Sequence, residues 1–286
     1  MTNGTAKRVC GLVLRLLLGA LFVVSALAKL WSIDQFELYV FSYGFFPLNI
    51  TFILVRLCIG AELALGVLLL AGWWRRLTLL AALALLLAFS LFLCYAALAG
   101  RNDSCQCMGQ LADMPPALSL LKNAVLIALT LLCIKLSAPW HGRRLHHWLA
   151  AALVAAAMAV PFVVSVPDSW MFGSSEERYD AAALAEAMEG PLAEHRLDEG
   201  AHVVAFVTPG CPYCRMARQK LDYIAQRHHL PDGYIVYLEP SDLGNSDFLR
   251  ITYGARPLIL LMQDGKVAAT FHYRNIDERK VARQGQ

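Results

Sequence analysis

The chain has 286 residues, of which 58% are hydrophobic and only 16% are charged, and its mean hydropathy is +0.50. These values exclude an ordinary water-soluble protein, because soluble domains contain about 25% charged residues. The formal net charge of +3 is too small to indicate a nucleic-acid partner. The sequence therefore predicts a protein that lies largely in a lipid bilayer.

Apolar segments long enough to cross about 30 Å of hydrocarbon recur along the first part of the chain. Short polar turns separate these segments, which cover roughly residues 9–30, 50–72, 77–99, 117–138 and 147–166. An alternative for the first segment is a signal peptide, because Lys7 and Arg8 precede an apolar run that ends in Ala26-Leu27-Ala28. The full span length of the run favours a transmembrane helix.

Basic residues in the short loops predict the orientation of the spans. They are concentrated before the first span, between the second and third, and between the fourth and fifth: Lys7, Arg8, Arg75, Arg76, Lys135, Arg143 and Arg144. The opposite loops, 31–49 and 100–116, contain most of the acidic residues of this part. We therefore expect a multi-pass protein of the bacterial inner membrane with its N-terminus in the cytoplasm. Both the 100–116 loop and the C-terminal part should face the periplasm.

Residues 168–286 have the charge density and the strand pattern of a water-soluble module. The pattern predicts a helix at 181–189, a strand at 202–208, a helix to about 229, a strand at 234–239, a helical stretch near 242–252, and two strands within 256–273. The last two strands flank an Asp264-Gly265 turn. This order is a βαβ unit followed by a β-hairpin.

The segment "PGCPYC" (209–214) lies between the first of these strands and the following helix. A Cys-x-x-Cys in this position of a βαβ unit is typical of a thioredoxin-like redox site. The N-terminus of the helix stabilises a thiolate, so we expect Cys211 to attack and Cys214, one turn inside, to resolve. The alternative is half of a zinc site, but no second pair of ligands has a suitable spacing, and no metal site is predicted.

The letters "CPYC" resemble the glutaredoxin sequence, which implies a reduction potential nearer about −200 mV than −270 mV. Pro257, at the start of the predicted hairpin, matches the cis-proline that lies beside the redox pair in the thioredoxin fold. We therefore predict a cis Arg256–Pro257 bond. The predicted fold class is an α-helical membrane bundle, with a four-helix core and a fifth transmembrane helix, followed by an α/β thioredoxin-like domain.

A second pair of thiols, Cys105 and Cys107, lies in the polar stretch "RNDSCQCMGQ" (101–110). A disulfide between residues two apart is strained, and strained disulfides are labile and oxidising. The predicted topology places this pair on the same side of the membrane as Cys211 and Cys214, so it could accept their electrons by thiol exchange. The alternative is a structural cap on the loop, for which a labile two-residue ring is poorly suited.

The membrane part resembles the MauE family, which is related to the DoxX-like membrane proteins. The resemblance covers about residues 12–135 and rests on the order of four segments, "RLLLGALFVVSALAKL", "FELYVFSYGFFP", "GAELALGVLLLAGWWRR" and "DSCQCMG". It implies a four-helix membrane protein whose Cys-x-Cys loop is associated with disulfide formation in exported proteins, often beside a thioredoxin-like partner. In this chain Gln106 and Met108 replace a glycine and a phenylalanine of that loop.

The predicted domains are therefore a MauE/DoxX-like four-helix transmembrane domain (1–138), a fifth transmembrane helix with a linker (139–179), and a thioredoxin-like domain (180–286). Two further thiols, Cys58 and Cys94, should lie within about 12 Å of the outer ends of their helices at a rise of about 1.5 Å per residue. We regard both as candidate exchange partners of the loop cysteines, with small buried hydrophobes as the alternative.

Three charged residues, Arg15, Arg56 and Glu62, lie inside predicted spans. Charge inside a membrane is costly enough to indicate a function by default. Arg56 and Glu62 are six residues apart and do not share a helix face, so each needs a partner on another helix or in a polar cavity. Two interpretations stay open: the charges connect the helices, or they form a quinone or proton site.

These features predict a membrane thiol-disulfide oxidoreductase that works through redox-active disulfides on exported thiol or disulfide proteins. Electrons would pass from Cys211 and Cys214 to Cys105 and Cys107, and then to a quinone, by analogy with other membrane disulfide-forming enzymes. One alternative is the delivery of reductant outward across the membrane. Another is a Cu(I)-handling or assembly protein, in which "CQCM" supplies soft sulfur ligands.

Overall fold

A computed structural model of the protein describes residues 2–99, 116–136, 144–171 and 178–285. The chain divides into two compact units. We call Met1–Tyr39 with Ile53–Val166 the membrane unit, and Val40–Phe52 with Pro167–Gln286 the α/β unit. The domain boundaries assigned above at residues 138 and 179 stay predictions.

The described residues of the first part of the chain form six helices: α1 (Thr2–Trp31), α2 (Ile33–Phe41), α3 (Leu48–Ala71), α4 (Arg75–Leu98), α5 (Pro116–Leu136) and α6 (Arg144–Val164). Within the described residues, five of them are long and apolar enough to cross a membrane, and α2 is the exception. These helices match the five predicted spans, and the protein is a multi-pass membrane protein. The short helix α2 lies in a segment that the sequence analysis treated as a loop.

Helices α1 and α3 approach each other closely because both carry a glycine at the contact. A Cβ atom on Gly66 would lie 2.9 Å from the backbone nitrogen of Val23 and 3.0 Å from the carbonyl oxygen of Gly19. Small residues let the backbones of membrane helices approach to van der Waals distance. Around this contact, apolar side chains of four helices form one buried cluster: Leu18, Phe22, Leu69, Leu79, Ala82, Leu86 and Cys133.

The α/β unit contains a four-stranded sheet in the order β2-β1-β3-β4. Its strands are β1 (Ala201–Phe206), β2 (Ile235–Leu238), β3 (Leu258–Gln263) and β4 (Lys266–Phe271). Strand β1 pairs with β2 in parallel and with β3 antiparallel, and β3 pairs with β4 antiparallel. The predicted βαβ unit and β-hairpin are both present, which confirms the thioredoxin-like fold class.

The helices of the α/β unit are α7 (Asp168–Met171), α8 (Ala181–Glu189), α9 (Pro212–His228), α10 (Pro240–Leu243), α11 (Asn245–Thr252) and α12 (Glu278–Gln284). Gly244, at φ +83°, separates α10 from α11, where the sequence analysis predicted one helical stretch. The sequence analysis did not predict α7 or α12.

Alternate residues of β1 face opposite sides of the sheet, and both sides are buried. Val203 and Ala205 lie in a cluster with side chains of α9 and α12, whereas Val204 and Phe206 lie in a cluster with side chains of α8 and α11. A strand that is buried on both faces has apolar residues at successive positions, which explains the sequence "VVAFV". Strand β1 is therefore the centre of the core and a rigid support for the loop that follows it.

The segment Val40–Phe52, which connects α2 to α3, packs on the outer surface of α9. Arg227, near the end of α9, donates hydrogen bonds to the carbonyl oxygens of Phe46 (2.8 Å) and Gly44 (2.6 Å). The ring of Phe41 meets that of Tyr223 edge to face, with 6.5 Å between the centroids. This segment therefore forms part of the core of the α/β unit, although more than 100 residues of the chain separate it from Pro167.

Candidate thiol redox site

Cys211 directly precedes helix α9 and is its N-cap residue. It adopts an extended conformation (φ −77°, ψ 117°), and Pro212 occupies the first helical position. The Sγ atom of Cys211 accepts a hydrogen bond from the backbone N–H of Cys214 at 3.2 Å, so the thiol occupies the place of a helix-capping oxygen. Proline suits this position because the first N–H of a helix has no partner within the helix.

The two thiols of the site have different environments. Cys211 is partly exposed, whereas Cys214 is 3% exposed and belongs to the core cluster that includes α9. Burial raises the pKa of Cys211, but hydrogen bonds from the Cys214 thiol, two backbone N–H groups and Thr208 lower it more, and the resulting pKa is below the usual thiol value. For Cys214, burial and the hydrogen bond with Cys211 raise the pKa.

Thr208 is a residue of the site that the sequence analysis did not identify. Its Oγ1 atom lies 3.8 Å from the Sγ atom of Cys214, two residues beyond the end of β1. The hydroxyl contributes to lowering the pKa of Cys211. The sequence feature that indicated a role for Thr208 was its position directly before "PGCPYC".

The Arg256–Pro257 peptide bond is cis, which confirms that prediction. Strand β3 begins at the next residue, Leu258, and Leu258 pairs with Phe206 at the end of β1. The register therefore places Pro257 at the same end of the sheet as the loop that leads to Cys211. That Pro257 takes part in the redox reaction stays a prediction.

Aromatic rings border the exposed thiol. Tyr213, which follows Cys211 by two residues and is 48% exposed, packs against Tyr273 with 5.1 Å between the ring centroids. Tyr273 in turn contacts the ring of His272. Burial, together with the charges of Arg274 and Lys220, lowers the pKa of His272, so this ring is neutral at pH 7. The surface beside Cys211 is therefore lined by aromatic rings, and Arg274 donates a hydrogen bond to the hydroxyl of Tyr273.

The second predicted thiol pair, Cys105 and Cys107, lies outside the described residues. Its role therefore stays a prediction. Of the two candidate secondary thiols, Cys58 is half-buried on α3 and Cys94 is exposed on α4, and both are free thiols. Cys58 lies one helical turn before Glu62, on the same side of α3.

Arg56, on α3, is 1% exposed and forms an ion pair with Glu37 of α2. Its Nε atom donates to the carbonyl oxygen of Ser165 (2.6 Å), and its Nη2 atom donates to that of Val166 (3.1 Å). The predicted partner on another helix is thus present. Because both carbonyl groups follow directly after α6, the guanidinium group connects three helices.

Glu62 also has a partner on another helix, since it forms an ion pair with Lys29 of α1. The Lys29 ammonium group additionally donates to the Ser25 hydroxyl (3.1 Å) and lies 5.0 Å from the centre of the Phe89 ring. The sequence analysis did not count Lys29 or Glu37 among the site residues. The indication in the sequence was their position, because Lys29 lies in the last turn of α1 and Glu37 lies in the short segment between the first two spans.

Arg15 lies elsewhere, against Gly72 at the end of α3. The three charged residues selected from the sequence therefore have separate sets of contacts. The pairs Arg56–Glu37 and Lys29–Glu62 connect helices, which agrees with the first of the two interpretations given above. A role of these groups in a quinone or proton site is untested.

We predict that iodoacetamide labels Cys211 well before Cys214 when the reduced protein is treated at pH 7. The thiolate is the reactive form, and the pKa of Cys211 is lowered while that of Cys214 is raised. Mass spectrometry of the two labelled sites measures the rates, and the rate at Cys211 should level off at a lower pH. In urea the two rates should become equal, whereas equal rates in the folded protein would contradict the assignment.

Breaking one buried ion pair should destabilise the membrane unit strongly. Lys29→Met leaves Glu62 charged and buried, so we expect a loss of about 3–5 kcal/mol in the free energy of unfolding. The double variant Lys29→Met with Glu62→Gln should recover much of this loss, because no charge remains unpaired. Unfolding in detergent measures Lys29→Met, Glu62→Gln and the double variant, and additive losses would show that the two groups do not interact.

Comparison with known proteins gives two matches. Residues 7–136 match the family described as Methylamine utilisation protein MauE. The chain is also similar to Protein TlpB of Flavobacterium psychrophilum, at 24% identity over 296 residues that cover 85% of this chain and 80% of that protein. No solved structure matches the chain. The resemblance predicted from the sequence is confirmed: the membrane part of this chain is similar to the MauE family, and a thioredoxin-like domain is fused to it.

Proposed function

We propose that the protein is a membrane thiol-disulfide oxidoreductase that forms disulfides in exported proteins. The observation that carries this proposal is the asymmetry of the Cys211/Cys214 pair. Cys211 is accessible and hydrogen-bonded as a helix cap, while Cys214 is buried one turn away. A pair with one nucleophilic thiol and one protected thiol suits exchange through a mixed disulfide better than it suits structural cross-linking.

The first reaction transfers two electrons from the substrate to the site. A substrate thiolate attacks the Sγ atom of Cys211 in the Cys211–Cys214 disulfide, and Cys214 leaves as the thiolate. A second substrate thiolate then attacks the mixed disulfide, which forms the substrate disulfide and releases Cys211. The low pKa of Cys211 makes it a good leaving group in this second step.

The second reaction regenerates the oxidised pair through the membrane part. The Cys211 thiolate attacks the disulfide of Cys105 and Cys107, and Cys214 resolves the mixed disulfide, which leaves the loop pair as dithiol. A quinone would then take the two electrons and two protons of the loop pair and become quinol. Cys58 and Cys94 are candidates for an intermediate exchange in this step.

Two observations support a periplasmic position of the α/β unit. The segment Val40–Phe52 belongs to the loop predicted to face outward, and it packs on α9 of this unit. The basic residues are concentrated on the opposite ends of the spans. Both observations favour substrate proteins that have already crossed the membrane.

The distribution of the remaining thiols favours oxidation over the outward delivery of reductant. Outward delivery needs a thiol pair that a cytoplasmic donor can reach, and only Cys10 and Cys133 lie toward that side in the predicted topology. Cys133 is fully buried, and its thiol donates to the carbonyl oxygen of Gly11 at 3.8 Å. The similarity to the MauE family and to Protein TlpB supports the same general class of activity.

A quinone oxidation assay tests the proposal. The protein is fully reduced without oxygen in lipid nanodiscs, a soluble quinone is added, and the alkylation state of each thiol pair is followed by mass spectrometry. We expect both pairs to become oxidised while quinol forms, and Cys105→Ser to keep Cys211 and Cys214 reduced. Cys10→Ser is the matched control and should behave like the unaltered protein. If quinone leaves both pairs reduced, a quinone is not the electron acceptor.

A trapping experiment tests the exchange between the two pairs separately. With Cys214→Ser and Cys107→Ser combined, each pair keeps a single thiol, so mild oxidation with diamide, which takes up two electrons and two protons, should join Cys211 and Cys105. No neighbouring thiol can then resolve this mixed disulfide, and peptide mapping detects it. Absence of this peptide from folded protein would exclude the exchange between the two thiol pairs.

Met108→Leu distinguishes the Cu(I) alternative. Thiol exchange tolerates this change, whereas a copper site would lose a ligand and its bound metal.

A further inference from the structure

Arg15 is a buried cation for which the described residues provide no counter-charge. The residue is 9% exposed, and its Nε atom is buried without a hydrogen-bond partner. Among the described residues of the membrane-spanning helices, Lys29 and Arg56 are buried like Arg15, and each of these two forms an ion pair with a glutamate. Because an unpaired charge is costly inside a protein or a bilayer, the environment of Arg15 requires a further anion.

A second guanidinium group lies beside that of Arg15, at the turn between α3 and α4. A Cβ atom on Gly72 would overlap the Nη1 atom of Arg15 and would lie 2.7 Å from its Cζ atom, so the guanidinium group fills the space that a side chain would occupy. Arg75 donates from its Nε atom to the carbonyl oxygen of Gly72 at 3.2 Å. Both guanidinium groups therefore contact Gly72. Their like charges repel each other, which adds to the free-energy cost of burying the charge of Arg15.

The sequence excludes an acidic partner from the neighbouring segments. Residues 1–33, 63–102 and 114–167 contain no aspartate and no glutamate, and they include every segment at the basic ends of the spans. The nearest acidic residue along α3 is Glu62, which pairs with Lys29 and lies about 15 Å from Gly72 at a rise of about 1.5 Å per residue. The balancing anion must therefore come from outside the chain.

The position of this turn indicates what the anion is. Trp73 and Trp74 follow Gly72 directly, and the indole nitrogen of Trp74 donates to the Nδ1 atom of His147. Tryptophan is enriched where the hydrocarbon region meets the lipid headgroups. Basic pockets between helices on the cytoplasmic side of membrane proteins bind phosphate-bearing headgroups.

We propose that Arg15 and Arg75 form a binding site for a phosphate group at the basic end of the membrane unit. The source of the phosphate is a phospholipid headgroup of the adjacent leaflet or a free phosphate ion. Guanidinium groups bind phosphate oxygens through paired, charge-assisted hydrogen bonds, and two of them can contact one phosphate from different sides. The bound group neutralises Arg15 and holds α1 against the turn between α3 and α4.

Thermal unfolding of the delipidated full-length protein in neutral detergent tests this proposal. The protein is titrated with phosphatidylglycerol, with an uncharged glucosyl diacylglycerol of the same acyl chains, and with inorganic phosphate. We expect phosphatidylglycerol to raise the unfolding temperature saturably and the glycolipid to have little effect. Arg15→Gln should weaken the apparent affinity for phosphatidylglycerol by about tenfold, the loss expected for one charge-assisted contact.

The matched control is Arg76→Gln, which removes an exposed arginine from the same turn and should leave the affinity unchanged. If Arg15→Gln does not fold, Arg75→Gln carries the same test, because this guanidinium group is only half-buried. An Arg15-dependent response to inorganic phosphate alone identifies a soluble ligand, whereas a response to phosphatidylglycerol alone identifies the lipid. An equal response to the glycolipid, or a loss smaller than about threefold in the variants, overturns the proposal.

Discussion

A charge inside a bilayer has to be neutralised by a group that can reach it, and this requirement determines how the helices of the membrane unit are connected. Lys29 and Glu62 join α1 to α3, and Arg56 joins α3 to α2 and to the end of α6. Each of these contacts favours one relative orientation of the helices that it joins, because a hydrogen-bonded ion pair is directional. Apolar packing alone is less specific. The glycines of α1 and α3 then set how closely the backbones approach.

The candidate redox site depends on a different constraint, which is the burial of both faces of β1. Because the strand is fixed on both sides, the loop after it presents Thr208 and Cys211 in a defined arrangement at the N-terminus of α9. The asymmetry between the two thiols follows from this geometry. The first thiol lies at the surface and accepts a hydrogen bond from an N–H group that has no partner within the helix, and the second lies one turn inside the core.

The sequence was sufficient for features that depend on local pattern. The apolar spans, the βαβ unit followed by a β-hairpin, the place of Cys211 before a helix and the cis bond before Pro257 were all predicted from residues that are close in the chain. Partner identities were harder to predict, because a pairing such as that of Arg56 with Glu37 depends on how helices pack in three dimensions. The contribution of Thr208 was also missed, since its hydroxyl affects the thiols only once the loop has folded.

The contact between Val40–Phe52 and α9 has a consequence for the integrity of the thioredoxin-like domain. Phe41, Leu48 and Phe52 lie in the same buried cluster as Cys214 and the inner face of α9. A fragment that begins at residue 180 would lack these side chains and would expose apolar surface that water does not reach in the full chain. The two parts of the protein are therefore not joined by a linker alone, because the segment Val40–Phe52 contributes side chains to the core of the thioredoxin-like domain.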